Sequence, residues 1–242
     1  MQHKLFAYSE KEPKVNEKCD KTIQLALKNH SGEFSAIGSA PFVEDDAKLA
    51  NANVEYIFKL ARDYKLHVDL HLDDNLAEGE NLTVSQEQAG DGAMIWKVLD
   101  MVKGGGMGTG RQMMTASNEK RTLAIGHGIR LSLFSQEALK ALKSAIVSAQ
   151  ERAPVYLVAL PPCDVYSKGR GLGALDESRA TLNVVKLTRE YGIETAMAVG
   201  NVQSKYAPQG NTDPLELCPI GVMLYQTAEE GDTRILLVSP GS

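Results

Sequence analysis

Along the 242 residues, apolar positions follow two alternating rhythms, a helical one near 3.6 and a strand-like one near 2, which predict helices and strands in turn. Residues 14–29 set Ile23, Leu25, Ala26 and Leu27 in a helical context, and His30-Ser-Gly supplies a stop. FSAIGS, ending before Pro41, reads as a short buried strand. Asp45 and Asp46 read as the acidic first turn of a helix running from Ala47 to Tyr64, with Leu49, Val54, Ile57, Phe58 and Leu60 on its apolar side. A strand follows at 66–72, a polar loop at 74–86, and a helix near 91–103 carrying Met94, Ile95, Val98, Leu99 and Val102. RTLAIGHGI, 121–129, is strand-like. Ser135 is placed to cap a helix reaching Gln150. Residues 155–160 form a β-rich run closed by Pro161-Pro162, 177–191 a helix stopped by Gly192, and 194–199 one more buried strand.

The five β-like segments, separated by helices and nearly continuous in apolar character, predict an α/β fold with a parallel sheet covered by helices. A doubly wound sheet and a barrel both satisfy the pattern, and in either one ligands gather at the carboxyl ends of strands. Pro41, His71 to Asp74, His127, Pro162 to Asp164 and Asn201 all stand at or just beyond such ends.

Composition narrows the class. With 43% hydrophobic residues the chain can bury a core as one domain over residues 1–242. Charged residues at 24% and a net charge of −5 leave no basic stripe, so nucleic acid is not an expected partner. No apolar run approaches the roughly 18 residues that span a bilayer, and the first residues have no apolar signal core, so a cytoplasmic protein is expected. Cys19, Cys163 and Cys218 are isolated; Cys163 reads as a small buried packing residue rather than a nucleophile.

HVDLHLDD, residues 67–74, raises the chemistry. Strand alternation puts Asp69, His71 and Asp73 on one face and Val68, Leu70 and Leu72 on the other. Of the five histidines, His3 and His30 lie in a tail and at a helix end, and His67 begins the strand facing solvent. His71 and His127 remain, each late in a strand, with Asp73 and Asp74 near the first: the residue types of a metal or acid–base site. The glycine-rich KGGGMGTGRQ, 103–112, lacks the Lys-Ser/Thr ending of a phosphate loop and follows a helix, so it reads as a loop, and a nucleotide-binding module is the weakest of the readings. Arg170 and Asp213 read as braces of strand-end loops, Lys168 and Lys205 as solvated, and Asn201 and Gln209 as contacts for a substrate amide or ring.

VDLHLDD, LAIGHGIRLSLFS, VALPPCDVYSKGR and AMAVGNVQSKYAPQGNTDPLELCPIGVMLY, in that order over about residues 33–226, resemble the second half of a cytosine deaminase-like member of the amidohydrolase superfamily, and are most similar to fungal amidohydrolase-like proteins. The resemblance implies a partial TIM-type (β/α)8 barrel, about strands 4 to 8 with covering helices. It implies a metal-dependent hydrolase acting on C–N bonds of a cyclic amidine or amide, with zinc or iron as the divalent cofactor and a small-molecule substrate. His71 then corresponds to a metal ligand and His127 to a ligand or to the orienter of metal-bound water. Asp74 stands where the family's general acid, a glutamate, stands, and Asp73 is the neighbouring acid. Two departures accompany it. The chain has no His-x-His pair, and Gly200 and Asn201 replace the eighth-strand aspartate. An open barrel also leaves two sheet edges for the N-terminal 30 residues and a partner chain, an oligomer among them, to cover. The alternative reading is a non-catalytic barrel remnant that binds a small ring metabolite or a partner chain.

Overall fold

The computed structural model describes residues 4–7, 13–30, 32–76, 93–168, 179–205, 207–209, 213–227 and 229–237; Arg170 lies outside them. The strands are Phe6–Ala7 (β1), Lys14–Val15 (β2), Ala36–Ser39 (β3), His67–Leu72 (β4), Leu123–His127 (β5), Val155–Ala159 (β6) and Thr195–Met197 (β7). The helices are Glu17–Asn29 (α1), Ala47–Tyr64 (α2), Met94–Lys103 (α3), Gln136–Gln150 (α4), Pro161–Ser167 (α5), Val184–Tyr191 (α6), Leu217–Tyr225 (α7) and Glu230–Leu237 (α8). None of them is long and apolar enough to cross a membrane.

β1 and β2 pair antiparallel, and the other five strands form a parallel sheet in the order β3-β4-β5-β6-β7. Ala36 sits opposite His67 at one end of that sheet and Leu157 opposite Thr195 at the other. This order decides between the two architectures the pattern left open. Right-handed crossovers that always step the same way put every connecting helix on one face, as in a barrel wall; a doubly wound sheet must reverse its strand order midway.

Contacts within the chain group into two units. The first comprises Met1–Leu72, Lys97–Ala124 and Ser148–Val155. In it, Leu27 of α1 packs with Leu60 and Leu66, flanked by Ile23, Ile37, Tyr56 and Tyr64. Asp46 caps α2 by accepting the Leu49 amide at 2.8 Å, so it stands one position before the helix, not inside its first turn. On β4 the alternation holds: Val68, Leu70 and Leu72 are buried, Asp69 is exposed and His71 half-buried. His67 is half-buried on the face of exposed Asp69, and its Nδ1 accepts the Thr122 amide at 3.0 Å. Arg121 is buried, donating from Nε to the Leu66 carbonyl at 2.7 Å and from a terminal nitrogen to the Met107 carbonyl at 2.6 Å. Burial, with the charge of Arg62, lowers its pKa to about 10.

The second unit, Asp73–Trp96, Ile125–Val147 and Tyr156–Ser242, holds the remaining chemistry. Two elements there depart from expectation. Pro161-Pro162 opens α5 instead of merely ending a strand, because proline's fixed φ suits a first helical turn. The next helix, α6, begins only at Val184, since the Asn183 side chain accepts the Lys186 amide and caps it there; Gly192, at φ 60, ends it as predicted.

Candidate functional site

Asp73 and Asp74 are adjacent, yet their carboxylates serve different ends. Asp73 follows the last residue of β4 with φ 52, in the left-handed region, which breaks the strand alternation. Its two carboxylate oxygens accept the Met94 and Ile95 amides at 2.8 and 3.1 Å, capping α3. Burial pushes its pKa up to about 6, against the lowering effect of those two amides and of the Arg130 charge.

Asp74 faces the other way, towards His127. His127 ends β5 with φ 68 and is followed by Gly128 with φ 60, so two consecutive left-handed residues turn the chain sharply and place the imidazole in a buried position. A non-glycine residue in that region costs energy and is held only where surrounding contacts fix it. The fixing contact is Asp164, on the first turn of α5: Asp164 Oδ1 lies 2.6 Å from His127 Nδ1. The carboxylate of Asp164 is fully buried, and its Oδ2 accepts the Thr181 hydroxyl at 2.7 Å and the Leu160 amide at 3.3 Å. The contact with Asp164 fixes the orientation of the imidazole ring.

Asp74 Oδ1 lies 3.7 Å from the same His127 nitrogen and 3.0 Å from Lys168 Nζ. Lys168 also donates to the Asp74 carbonyl at 2.6 Å, so it is a partner of the site and not the solvated side chain its sequence context suggests. Asp74, His127 and Asp164 form the one group of metal-ligating side chains found among the described residues, their ligand atoms all within 4.8 Å of one another.

The first turn of α5 gathers the remaining strand-end residues. Gln209 donates to the Pro162 carbonyl at 2.9 Å, and Asn201 donates to Cys163 Sγ at 3.4 Å. Three consecutive residues, 162 to 164, thus receive Gln209, Asn201 and His127. Cys163 is buried, and burial pushes its thiol pKa up, against the Asn201 hydrogen bond, which fits a packing residue. His71 is not a member of the three-residue cluster. Sequence reasoning picked out Asp74 and His127, placed Asp164 at a strand end without giving it a role, read Lys168 as solvated and passed over Thr181. The signal for Asp164 was available: Pro-Pro at a helix start puts the following Asp in the first turn, where amides and an imidazole can reach it.

Asp74 Oδ1 is the observation that bears on a metal. It is buried and accepts no hydrogen bond among the described residues, so it is an anionic oxygen with an ionic neighbour but no donor aligned on it. Such an oxygen beside an imidazole suits a divalent cation. Asp164 fits the second coordination shell better than the first. Its 2.6 Å approach to His127 Nδ1 is that of a hydrogen bond, whereas two atoms on one tetrahedral zinc stand about 3.3 Å apart.

No protein-family model matches the chain, and no curated protein matches it. Solved structures do. The 5-methylcytosine deaminase of Klebsiella pneumoniae liganded with 5-fluorocytosine is similar with a TM-score of 0.64 at 16% identity, over 89% of this chain and 44% of that one. The same enzyme liganded with phosphonocytosine gives 0.62 at 16% identity, over 86% and 44%. The fold is a partial TIM-type barrel. N-isopropylammelide isopropylaminohydrolase from Burkholderia multivorans gives 0.57 at 16% identity, over 95% of this chain and 47% of that one. The chain therefore spans under half the length of each of these structures, and at this identity the likeness is one of fold.

Proposed function

We propose that the chain is a metal-dependent hydrolase domain of the amidohydrolase type, acting on a C–N bond of a cyclic amidine or amide such as a nucleobase. The observation that carries the reading is the buried Asp74–His127–Asp164 cluster at the carboxyl ends of β5 and β6, the place where barrel folds keep their chemistry. The Klebsiella structures hold cytosine-like ligands, which supports a small nitrogen ring as the substrate class.

In this reading His127 and Asp74 hold the cation, and Asp164 orients the imidazole. His71 is assigned as a further ligand on the sequence resemblance alone. A zinc or iron ion bound there would supply hydroxide near neutral pH by lowering the pKa of its water to about 7. Asp74 is the carboxylate that passes the proton to the leaving nitrogen. Asn201 and Gln209 line up substrate polar groups beside α5. Asp73, occupied with the α3 amides, serves as the brace that sets Asp74 in place.

The test is metal analysis of the purified chain together with ammonia release from cytosine and 5-methylcytosine. About one equivalent of zinc or iron, lost with activity in His127→Ala, is expected. A folded, metal-free protein that releases no ammonia after loading with zinc or iron would overturn the reading. That outcome would favour a non-catalytic barrel that binds a ring metabolite, for which the ammonium already paired with Asp74 is the supporting observation.

A further inference from the structure

Lys168 follows α5, with a side chain only 22% exposed, and makes two contacts with one residue 94 positions away in the chain. Its Nζ donates to the Asp74 carbonyl oxygen at 2.6 Å and stands 3.0 Å from Asp74 Oδ1. That same Oδ1 is the buried carboxylate oxygen on which no hydrogen-bond donor is aligned, 3.7 Å from the His127 imidazole. One oxygen therefore faces both an ammonium and the imidazole of the proposed metal centre.

We infer that Lys168 is a built-in counter-cation, which competes with a divalent ion for Asp74 Oδ1 and thereby sets the metal affinity of the centre. A metal bonded to that oxygen at about 2.1 Å would sit against an ammonium now only 3.0 Å from it, so the metal must drive Nζ off the carboxylate. The bond to the Asp74 carbonyl gives the ammonium a second acceptor on the same residue, so it can leave the carboxylate without leaving the site. The centre is thus charge-balanced at Asp74 before any metal arrives, and metal uptake is an exchange of one cation for another. This rests on the reading of Asp74 and His127 as metal-holding residues.

The test titrates Zn2+ and Co2+ into chelator-stripped full chain, following heat and the visible absorption of bound Co2+. Lys168→Met should bind both ions about tenfold tighter or more than the natural chain. Lys168→Arg, which keeps the charge, should stay close to the natural affinity. Adding Asp74→Asn to Lys168→Met should abolish the gain. Lys168→Gln removes the charge but keeps a donor for the Asp74 carbonyl, and serves if the Met variant folds poorly. Equal affinity in the natural chain and Lys168→Met overturns the inference while leaving the metal centre standing. Binding in Lys168→Met alone supports the inference and removes the natural chain's metal-dependent activity. Binding in neither overturns it.

Discussion

His127 and Asp164 form a buried imidazole–carboxylate pair, Nδ1 to Oδ1 at 2.6 Å, with the carboxylate wholly excluded from solvent. Because Asp164 also accepts the Thr181 hydroxyl and the Leu160 amide, its loss strands three donors at once. Asp164→Ala is expected to cost about 3 kcal/mol or more of unfolding free energy, because buried donors lose a charged acceptor. Thr181→Val should cost about 1 kcal/mol. Urea titrations of the two variants give both values, and near-equal effects would contradict the central place assigned to Asp164.

Asp73 makes stability depend on pH in a direction opposite to most carboxylates. Its folded pKa is raised from 3.8 to about 6, so the folded chain keeps a proton that the unfolded chain releases. The resulting stabilisation is complete below pH 4 and is lost as pH rises to 6, a change of roughly 3 kcal/mol from this one group. The difference in unfolding free energy between the natural chain and Asp73→Asn, measured by urea at pH 4, 5, 6 and 7, should therefore shift in favour of Asn as pH rises. A difference that stays flat would show that the two α3 amides cancel the effect of burial.

Cys163 should resist alkylation. Its burial and raised pKa leave little accessible thiolate, whereas Cys19 and Cys218 are half-buried. Peptide mapping after iodoacetamide treatment of folded protein should find Cys19 and Cys218 modified first, with Cys163 reacting only after denaturation.

Arg121→Ala should lower stability by about 3 kcal/mol or more, because two buried carbonyls, those of Leu66 and Met107, lose a charged donor. Thermal unfolding followed by circular dichroism measures it. A surface substitution such as Lys21→Ala, in an exposed pair with Glu17, should change little.

Where local rules govern, the chain was legible from its residues. α2 runs over the predicted span because an Asp cap and a long apolar stripe agree on it, and β4 and β6 follow from alternation and β-branched runs. Local rules failed where one residue type carries two meanings. Pro161-Pro162 reads as a stop after a strand and is also a good helix start, so α5 was passed over and Asp164 was given no role. The break in alternation at Asp73 needs a left-handed backbone that no pattern of apolar residues announces. Asp74 and His127 could be picked out because they end strands. Lys168 could not, since its pairing with Asp74 spans 94 residues and is fixed only by the fold.

The first turn of α5 separates two kinds of variation. Gln209 and Asn201 dock on Pro162 and Cys163 through a backbone carbonyl and a sulfur, whereas His127 is held by the next residue's side chain. Substitutions at 201 and 209 should therefore leave the imidazole in its seat, because neither position touches the carboxylate that holds it.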